Sequence, residues 1–242
     1  MKVLAIGNSF SEDAMRYLHE IAASEGEALK TVNLMIGGCP LSRHYINMNN
    51  DAAAYGFQFN GQPTGISVSI RQALQSDEWD VVTLQQVSHM SARYDSYQPY
   101  LQRLAEYVQY HAPKATLMLH QTWAYEQGSQ RLAEQGYDSR ADMFDDIKAA
   151  YAKAAADLGG VGLIPSGAAF QNLYQEGGGV HRDTFHASLG VGRYTLGLTW
   201  FEMLTGKSCI GNGFRAFDEP VTEQEIQIAQ SCAHRAVREY RR

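Results

Sequence analysis

Clusters of basic residues are what this sequence most clearly lacks. Its 242 residues contain 20 lysines and arginines against 26 aspartates and glutamates, which gives a formal net charge of −6 with neutral histidines. Proteins that bind nucleic acid or anionic membranes usually concentrate Lys and Arg on one face or in one run. The composition therefore predicts neither a nucleic-acid partner nor a membrane partner, and it does not indicate an oligomeric state.

Long apolar runs are also missing. A membrane-spanning helix needs about 20 predominantly apolar residues, and no segment approaches that length. The apolar run at residues 3–6 stops at Gly7-Asn8, which is typical of a first strand and too short for the apolar region of a signal peptide. We expect a soluble, cytoplasmic protein, unless an export signal precedes the given sequence.

Cysteine is scarce and irregularly placed. Cys39, Cys209 and Cys232 are odd in number, far apart and in no C-x-x-C pair. This spacing predicts neither a disulfide framework nor a thiolate metal site, and it favours a reducing compartment. We expect no metal and no cofactor.

Short apolar runs alternate with longer amphipathic stretches along the chain. Strands alternating with helices in this way predict an α/β fold, with a mostly parallel sheet of about five strands covered on both faces. We expect one domain over residues 1–242, ending in a helix at about 222–241. The five predicted strands lie in KVLAIG, LKTVNLMIGG, WDVVTLQQ, ATLMLHQTW and VGLIP.

Two stretches fit this alternation poorly. Residues 44–65 are rich in Asn and Gly and predict a small hairpin around Asn60-Gly61. Residues 124–140 form a long polar segment, which is either simple surface structure or a loop that lines a binding site.

The stretch IGNSFS places a serine at a strand-to-helix corner. At the carboxyl edge of a sheet, the hydroxyl of Ser9 would face solvent beside the N–H groups of a helix N-terminus. Such a serine is placed to act as a nucleophile. The alternative is that Ser9 or Ser11 merely caps a helix that begins near Glu12.

Two other predicted strands end in residues that suit an oxyanion hole. IGGCPL follows the second strand, where Gly38 allows a sharp turn with exposed N–H groups, and LQQVS closes the third with Gln85 and Gln86. The carboxyl ends of parallel strands meet at one edge of the sheet. We therefore expect these segments to lie near Ser9.

A histidine and an aspartate near the end of the chain complete a candidate catalytic set. In HRDTFHAS, the Asp183 carboxylate can fix the tautomer of His186, whose other nitrogen can accept the serine proton. Helix capping by Asp183 or Thr184 is one alternative. Metal binding by His181, Asp183 and His186 is another.

The order of these blocks resembles that of the SGNH hydrolases, the GDSL-like esterases. IGNSFS, GGCPL, LQQVS, HQTWAY and DTFHAS resemble more closely a bacterial branch catalogued mainly as a domain of unknown function, over roughly residues 2–205. The resemblance implies a three-layer α/β/α flavodoxin-like sandwich and ester hydrolysis through a serine. By position it makes Ser9 the nucleophile, Gly38 the oxyanion-hole glycine, and Asp183 and His186 the supporting pair.

The chain departs from this family in its third block, where the family has Gly-x-Asn. Gln86 is our first candidate to replace that asparagine in the oxyanion hole, with Gln85 or Ser88 as alternatives. The opening Gly-Asp-Ser of the family is Gly-Asn-Ser here, and the nucleophile is kept.

The expected substrate is a small-molecule or oligosaccharide ester. Members that resemble this branch often look like carbohydrate O-acetylesterases, so an acetyl group on a saccharide is the first expectation and a general short-chain esterase the second. A catalytically silent ligand-binding domain of the same fold and a nucleotide binder also fit parts of the pattern, although no P-loop lysine is present. The candidate substrate contacts are Arg43, His44, His120, Trp123 and Tyr125; Trp123 has the alternative of being simply buried.

Overall fold

Seven strands form a single sheet in the computed structural model, which describes residues 1–241. Their order across the sheet is β4-β3-β2-β1-β5-β6-β7. The strands are β1 (Lys2–Gly7), β2 (Lys30–Met35), β3 (Tyr55–Phe59), β4 (Gln62–Val68), β5 (Val81–Leu84), β6 (Thr116–His120) and β7 (Gly162–Ile164).

Five of these strands are parallel and match the five predicted from the apolar runs. β1 pairs with β2 and β5, and β5, β6 and β7 continue in parallel register. The prediction of about five strands is wrong in number, because the hairpin around Asn60-Gly61 joins the sheet. β3 pairs antiparallel with β2 and with β4, which adds two strands at one edge.

Ten α-helices accompany the sheet in the described residues. The segment between β1 and β2 forms two short helices, and the stretch 44–65, which fitted the strand–helix alternation poorly, begins inside a helix over residues 41–49. The helices are α1 (Ser9–Met15), α2 (Leu18–Ser24), α3 (Leu41–Asn49), α4 (Ile70–Gln75), α5 (Tyr100–His111), α6 (Gln130–Glu134), α7 (Arg140–Asp157), α8 (Ser166–Gln175), α9 (Val191–Thr205) and α10 (Glu223–Tyr240).

The strand order reverses direction at β1. From β1 the chain moves to β2 on one side, and it later places β5, β6 and β7 on the other side. Right-handed crossovers in opposite directions put their helices on opposite faces of the sheet. Accordingly, α1 and α2 contact α9, which also contacts α8 and α10, whereas α3, α4 and α5 contact one another.

This reversal determines where a ligand can bind. In open α/β sheets, ligands bind beyond the carboxyl ends of the strands, in the crevice where the strand order reverses. β1 and β5 are central and almost wholly buried, so apolar packing fixes their ends firmly. The residues that follow β1, beginning at Asn8, therefore occupy the position where this fold places its active sites. Within residues 1–241, no helix has the length and apolar content needed to cross a bilayer.

Candidate active site

The corner after β1 is built by Asn8, and it places Ser9 at the first position of α1. Asn8 is the N-cap: its side chain accepts a hydrogen bond from the Phe10 N–H at 3.0 Å. The Ser11 hydroxyl in turn accepts from the Asn8 N–H at 3.1 Å, which closes a capping box. The alternative in which Ser9 or Ser11 caps a helix starting near Glu12 is wrong, because Asn8 is the N-cap and the Ser9 hydroxyl does not cap the helix.

Ser9, His186 and Asp183 form one continuous hydrogen-bonded chain. The Ser9 Oγ lies 2.9 Å from His186 Nε2, although 177 residues separate them in sequence. On the other side of the ring, His186 Nδ1 lies 2.8 Å from an Asp183 carboxylate oxygen. Because a carboxylate only accepts, Nδ1 carries the ring proton and Nε2 is left to accept the proton of Ser9.

The loop that holds Asp183 keeps this carboxylate ionised. Its second oxygen accepts the backbone N–H groups of Phe185 at 2.8 Å and of His186 at 2.7 Å. Burial by itself raises the pKa of Asp183, but these two N–H groups and the His186 ring outweigh it and lower the pKa to about 2. Asp183 therefore carries a negative charge at any pH near neutrality.

The same loop is fastened to the segment that follows β6. The Trp123 indole N–H donates to the Phe185 carbonyl at 2.7 Å, and the Glu126 N–H donates to the Thr184 carbonyl at 2.9 Å. Trp123 is itself stacked on Phe10 of α1, with ring centres 3.9 Å apart. The imidazole of His186 is thus positioned relative to the serine helix by direct packing.

Two backbone N–H groups near Ser9 can stabilise an oxyanion. Gly38 has a positive φ of 61°, a conformation that favours glycine, and it is exposed at the loop after β2. The Asn8 side chain donates to the carbonyl of Cys39 at 3.2 Å, which ties this loop to the serine corner. The N–H of Ser9 lies in the first turn of α1 and has no acceptor within the helix.

Gln86 occupies a different position from the one expected of an oxyanion donor. Its side-chain oxygen accepts the N–H groups of Leu41 at 3.0 Å and Val87 at 2.8 Å. Its amide nitrogen donates to the carbonyl and the hydroxyl of Ser96, both at 3.0 Å. In this arrangement Gln86 fixes the start of α3 beside the Gly38 loop, and its amide group is directed to Ser96.

Gln85 supports the serine corner from beneath. Its amide donates to the Asn8 side-chain oxygen at 2.8 Å, and its own oxygen accepts from His120 Nδ1 at 2.7 Å. His120 Nε2 lies 3.0 Å from the Ser166 hydroxyl, which donates to it because Nδ1 holds the ring proton. A buried row of side chains from Ser166 to Asn8 therefore holds the helix cap in place.

The chain matches a known protein family. Residues 2–236 match the family described as Domain of unknown function (DUF4886). The chain is a DUF4886 protein. A DUF4886 family protein from Bacteroides uniformis ATCC 8492 is 39% identical to it with a TM-score of 0.92, over 98% of this chain and 94% of that one. Comparison with curated proteins gave no match.

Other solved structures link the DUF4886 protein to the SGNH hydrolases. A proposed SGNH hydrolase from Slackia heliotrinireducens is 25% identical, with a TM-score of 0.61 over 84% of this chain and 97% of that one. A proposed GDSL-like lipase from Parabacteroides merdae ATCC 43184 shares the fold at 14% identity, with a TM-score of 0.57 over 83% of this chain and 94% of that one. The resemblance recognised in the sequence blocks is confirmed.

Most of the expected substrate contacts lie inside the DUF4886 protein. His44 and His120 have no exposed surface, and burial lowers the pKa of each to about 3, so both are neutral. Trp123 and Tyr125 are also fully buried, and the Tyr125 hydroxyl bonds Ser88 at 2.9 Å. None of these four side chains presents a face to a ligand, because their partners are other parts of the core.

Arg43 is the one expected contact that lies on the surface. It is exposed on α3, two residues after the start of the helix that follows the Gly38 loop. Its guanidinium donates to Asn47 at 3.2 Å. Its guanidinium is therefore open to solvent on the helix that follows the Gly38 loop.

The alternative metal set of His181, Asp183 and His186 is not assembled. Within the part of the chain that the structure describes, no three His, Cys, Asp or Glu side chains gather in a way that could hold a metal ion. His181 is mostly buried, and its pKa is lowered to about 4, first by burial and then by the charge of Arg140.

Two neighbours of the hydrogen-bonded Ser9–His186–Asp183 set were not predicted from the sequence. Phe185 packs on the His186 ring with centres 3.8 Å apart, and Arg131 lies over Phe185 at 4.0 Å. Arg131 belongs to the long polar segment 124–140, which contains the short helix α6. The only signal was that segment's length, which indicated a binding-site loop without indicating which residue in it matters.

Proposed function

We propose that this DUF4886 protein is a serine hydrolase that removes a small acyl group from a saccharide ester. An acetyl group is our first candidate for that acyl group. The observation that carries the proposal is the Ser9–His186–Asp183 chain, with a 2.9 Å separation between the serine oxygen and the base nitrogen. That distance lies within the range required for proton transfer from nucleophile to base. The fold shared with SGNH hydrolases supports the same chemistry at a coarse level.

The reaction follows from the orientation of these groups. Ser9 Oγ attacks the ester carbonyl carbon while its proton passes to His186 Nε2, and the carbonyl oxygen takes up negative charge. The N–H groups of Ser9 and Gly38 stabilise that charge. Asp183 stabilises the imidazolium and itself remains deprotonated.

Collapse of the tetrahedral intermediate breaks the bond to the alcohol oxygen. His186 returns the proton to that oxygen, so the alcohol leaves neutral and the acyl group stays on Ser9. Water then loses a proton to His186 and attacks the acyl carbon, and His186 returns that proton to Ser9 Oγ as the bond between Oγ and the acyl carbon breaks. The products are the carboxylic acid and the free serine, with His186 again neutral.

The position of the site on the surface supports a large alcohol. Gly38 and Asp183 are exposed and Ser9 is partly exposed. An open position of this kind admits a small acyl group that is attached to a bulky polar alcohol, such as an oligosaccharide. The acetyl and saccharide assignments rest on the likeness of the sequence blocks to carbohydrate O-acetylesterases.

Hydrolysis of p-nitrophenyl acetate, followed by acetate release from acetylated oligosaccharides, tests the proposal. We expect Ser9→Ala and His186→Ala each to lower kcat by several orders of magnitude, because nucleophile and base act as a unit. Ser231→Ala, on the exposed face of α10, is the matched control and should retain full activity.

Three results would overturn parts of the proposal. Activity retained in a folded Ser9→Ala variant would remove the serine mechanism. Absence of hydrolysis of any ester by the wild type would favour a ligand-binding domain. Hydrolysis of p-nitrophenyl acetate without acetate release from any saccharide would leave a short-chain esterase.

A further inference from the structure

An arginine lies next to the catalytic histidine on the surface of the molecule. The guanidinium carbon of Arg131 is 4.0 Å from the centre of the Phe185 ring and 5.9 Å from that of Tyr125. Phe185 in turn packs on His186 with ring centres 3.8 Å apart. Together these distances keep the guanidinium within about 8 Å of the His186 ring centre, which is about the screening length at physiological ionic strength.

The charge of Arg131 is not neutralised by the protein. Among residues 1–241, no carboxylate lies within ion-pair distance of its guanidinium, and its side chain is exposed. Arg16, Arg182, Arg193 and Arg215 all pair with carboxylates, whereas Arg131 interacts with the Tyr125 hydroxyl and has no carboxylate partner. A stacked guanidinium without a carboxylate partner has its charge available to an anionic ligand.

His89 and Arg93 are exposed on the segment after β5. Burial lowers the pKa of His89, and the positive charges of Arg93 and Arg131 lower it further. His89 is therefore neutral near pH 7 and adds no positive charge to that of Arg131.

The carboxylates nearby are not ion-paired with Arg131. Asp183 is engaged by the His186 ring and by two backbone N–H groups. Glu126 and Asp95 are exposed, and within residues 1–241 neither forms an ion pair with Arg131 at 4.0 Å or less. Arg131 therefore keeps an unpaired positive charge beside Phe185.

The position of His186 indicates which part of a substrate meets this charge. The leaving alcohol oxygen must receive its proton from His186 Nε2, so the alcohol extends on the His186 side of the site. The carbonyl oxygen points the other way, toward the N–H groups of Ser9 and Gly38. Groups carried by the alcohol therefore approach Phe185 and Arg131.

We propose that Arg131 selects esters whose alcohol carries a carboxylate, such as an acetylated acidic saccharide. The inference rests on the proposed ester hydrolysis and names the alcohol it prefers. Arg131 acts on binding of the anionic alcohol and takes no part in proton transfer. A guanidinium and a carboxylate pair through two parallel hydrogen bonds, which adds orientation to attraction.

A matched pair of small esters tests this directly. In 4-acetoxybenzoate the alcohol carries a carboxylate across one aromatic ring from the ester, and its methyl ester carries none. We expect Arg131→Gln to lower kcat/KM for 4-acetoxybenzoate about tenfold, mainly through KM, since the charge-assisted pair between guanidinium and carboxylate is lost. The methyl ester should change less than about twofold, which also shows that His186 is undisturbed.

Two controls separate a local contact from general electrostatics. Arg238→Gln removes the same charge from an exposed position on α10 and should leave both esters unaffected. Raising the ionic strength from about 0.05 M to about 0.5 M should weaken the wild-type preference for the anionic ester and leave the Arg131→Gln variant almost unchanged. Arg131→Lys should keep part of the preference, because it retains charge without the planar fork.

The outcomes distinguish this inference from the proposed function. If neither ester is hydrolysed in a Ser9-dependent manner, the proposed function fails. If the neutral ester is hydrolysed and Arg131→Gln leaves the ratio of the two kcat/KM values unchanged, ester hydrolysis stands and the role of Arg131 is overturned. An equal effect of Arg238→Gln would replace the local contact with long-range attraction and would likewise overturn it.

Discussion

Asp13 accepts hydrogen bonds from the guanidinium of Arg182 at both carboxylate oxygens, at 2.8 and 2.9 Å. The same carboxylate accepts Arg193 Nε at 2.9 Å and the Ala187 N–H at 3.1 Å. Asp13 is fully buried and lies four residues after Ser9, on the same face of α1. One short helix therefore carries Ser9 and also anchors the segment that bears His186.

Replacement of Asp13 is expected to damage stability and catalysis together. Asp13→Asn leaves Arg182 without a counter-charge and Arg193 with Asp218 alone, and breaking a buried pair in this way costs about 3–5 kcal/mol. We expect a loss of about 3 kcal/mol in the free energy of unfolding and at least a tenfold fall in kcat, measured by urea unfolding and ester hydrolysis. Asp145→Asn, which loses only an exposed pair with Lys148, should cost less than about 1 kcal/mol. An unchanged kcat in folded Asp13→Asn would show that Asp13 does not position His186.

Gln86→Ala distinguishes a structural glutamine from an oxyanion donor. Truncation removes the acceptor of two buried N–H groups, those of Leu41 and Val87, and each unsatisfied group costs about 1–3 kcal/mol. We therefore expect the free energy of unfolding to fall by about 2–4 kcal/mol. Gln102→Ala on the exposed face of α5 is the control and should change little.

The kinetics of the same variant decide between the two roles. A loss in kcat of about 10²–10³ with little change in stability would mean that the amide leaves Ser96 and reaches the oxyanion during the reaction. A large stability loss with a smaller change in kcat would assign Gln86 to the support of the Gly38 loop.

Local patterns in the sequence predicted the parts of the fold that depend on residues close together in the chain. Apolar runs predicted the five parallel strands, and the pairing of Ser9 with Asp183 and His186 was expected from the Asp-x-x-His spacing and from the resemblance to the SGNH hydrolases. The hairpin at 55–68 was predicted, but its place in the sheet was not, since pairing with β2 depends on an edge far away in sequence.

The remaining features depend on contacts between residues that are far apart in the sequence. His44 and His120 were expected at the surface, yet each is buried because Tyr55, Gln85 and Ser166 supply hydrogen bonds. The roles of Asp13 and Arg131 also depend on distant partners, which are Arg182 for the first and Phe185 for the second. An isolated polar residue in a sequence carries no sign of which distant group will meet it.

The pKa of Asp183 restricts how activity depends on pH. Because the folded pKa is lowered to about 2, the carboxylate contributes stability above its unfolded pKa of about 3.9 and loses it only as pH falls through about 2. Asp183 is therefore ionised throughout the range from about pH 5 to pH 9. We expect kcat/KM to rise with pH through one ionisation that does not belong to Asp183.

Asp183→Asn tests this assignment. Loss of the carboxylate removes the acceptor that fixes the histidine tautomer, so kcat should fall by about 10²–10⁴ and should not recover at high pH. A pH profile measured with p-nitrophenyl acetate checks both statements. A second ionisation near pH 4–5 that is present in the wild type and absent from Asp183→Asn would contradict the lowered pKa.

Burial of His44 and His120 is expected to make the protein sensitive to mild acid. Their pKa values are lowered by burial to about 3, against about 6.5 in the unfolded chain, so the unfolded state binds more protons between these values. The stability that depends on neutral histidine is complete above about pH 6.5 and declines as pH falls toward 3. At pH 5 each histidine should reduce the free energy of unfolding by about 2 kcal/mol.

Urea unfolding at pH 7.5 and pH 5 measures this effect. His44→Gln and His120→Gln should each reduce the difference between the two pH values by about 2 kcal/mol, whatever they cost at pH 7.5, because glutamine does not titrate. His181, whose pKa is lowered to about 4, should leave a residual pH dependence of the free energy of unfolding in a variant that carries both substitutions. If the difference is the same in the wild type and in both variants, the loss of stability in acid arises from groups other than these two histidines.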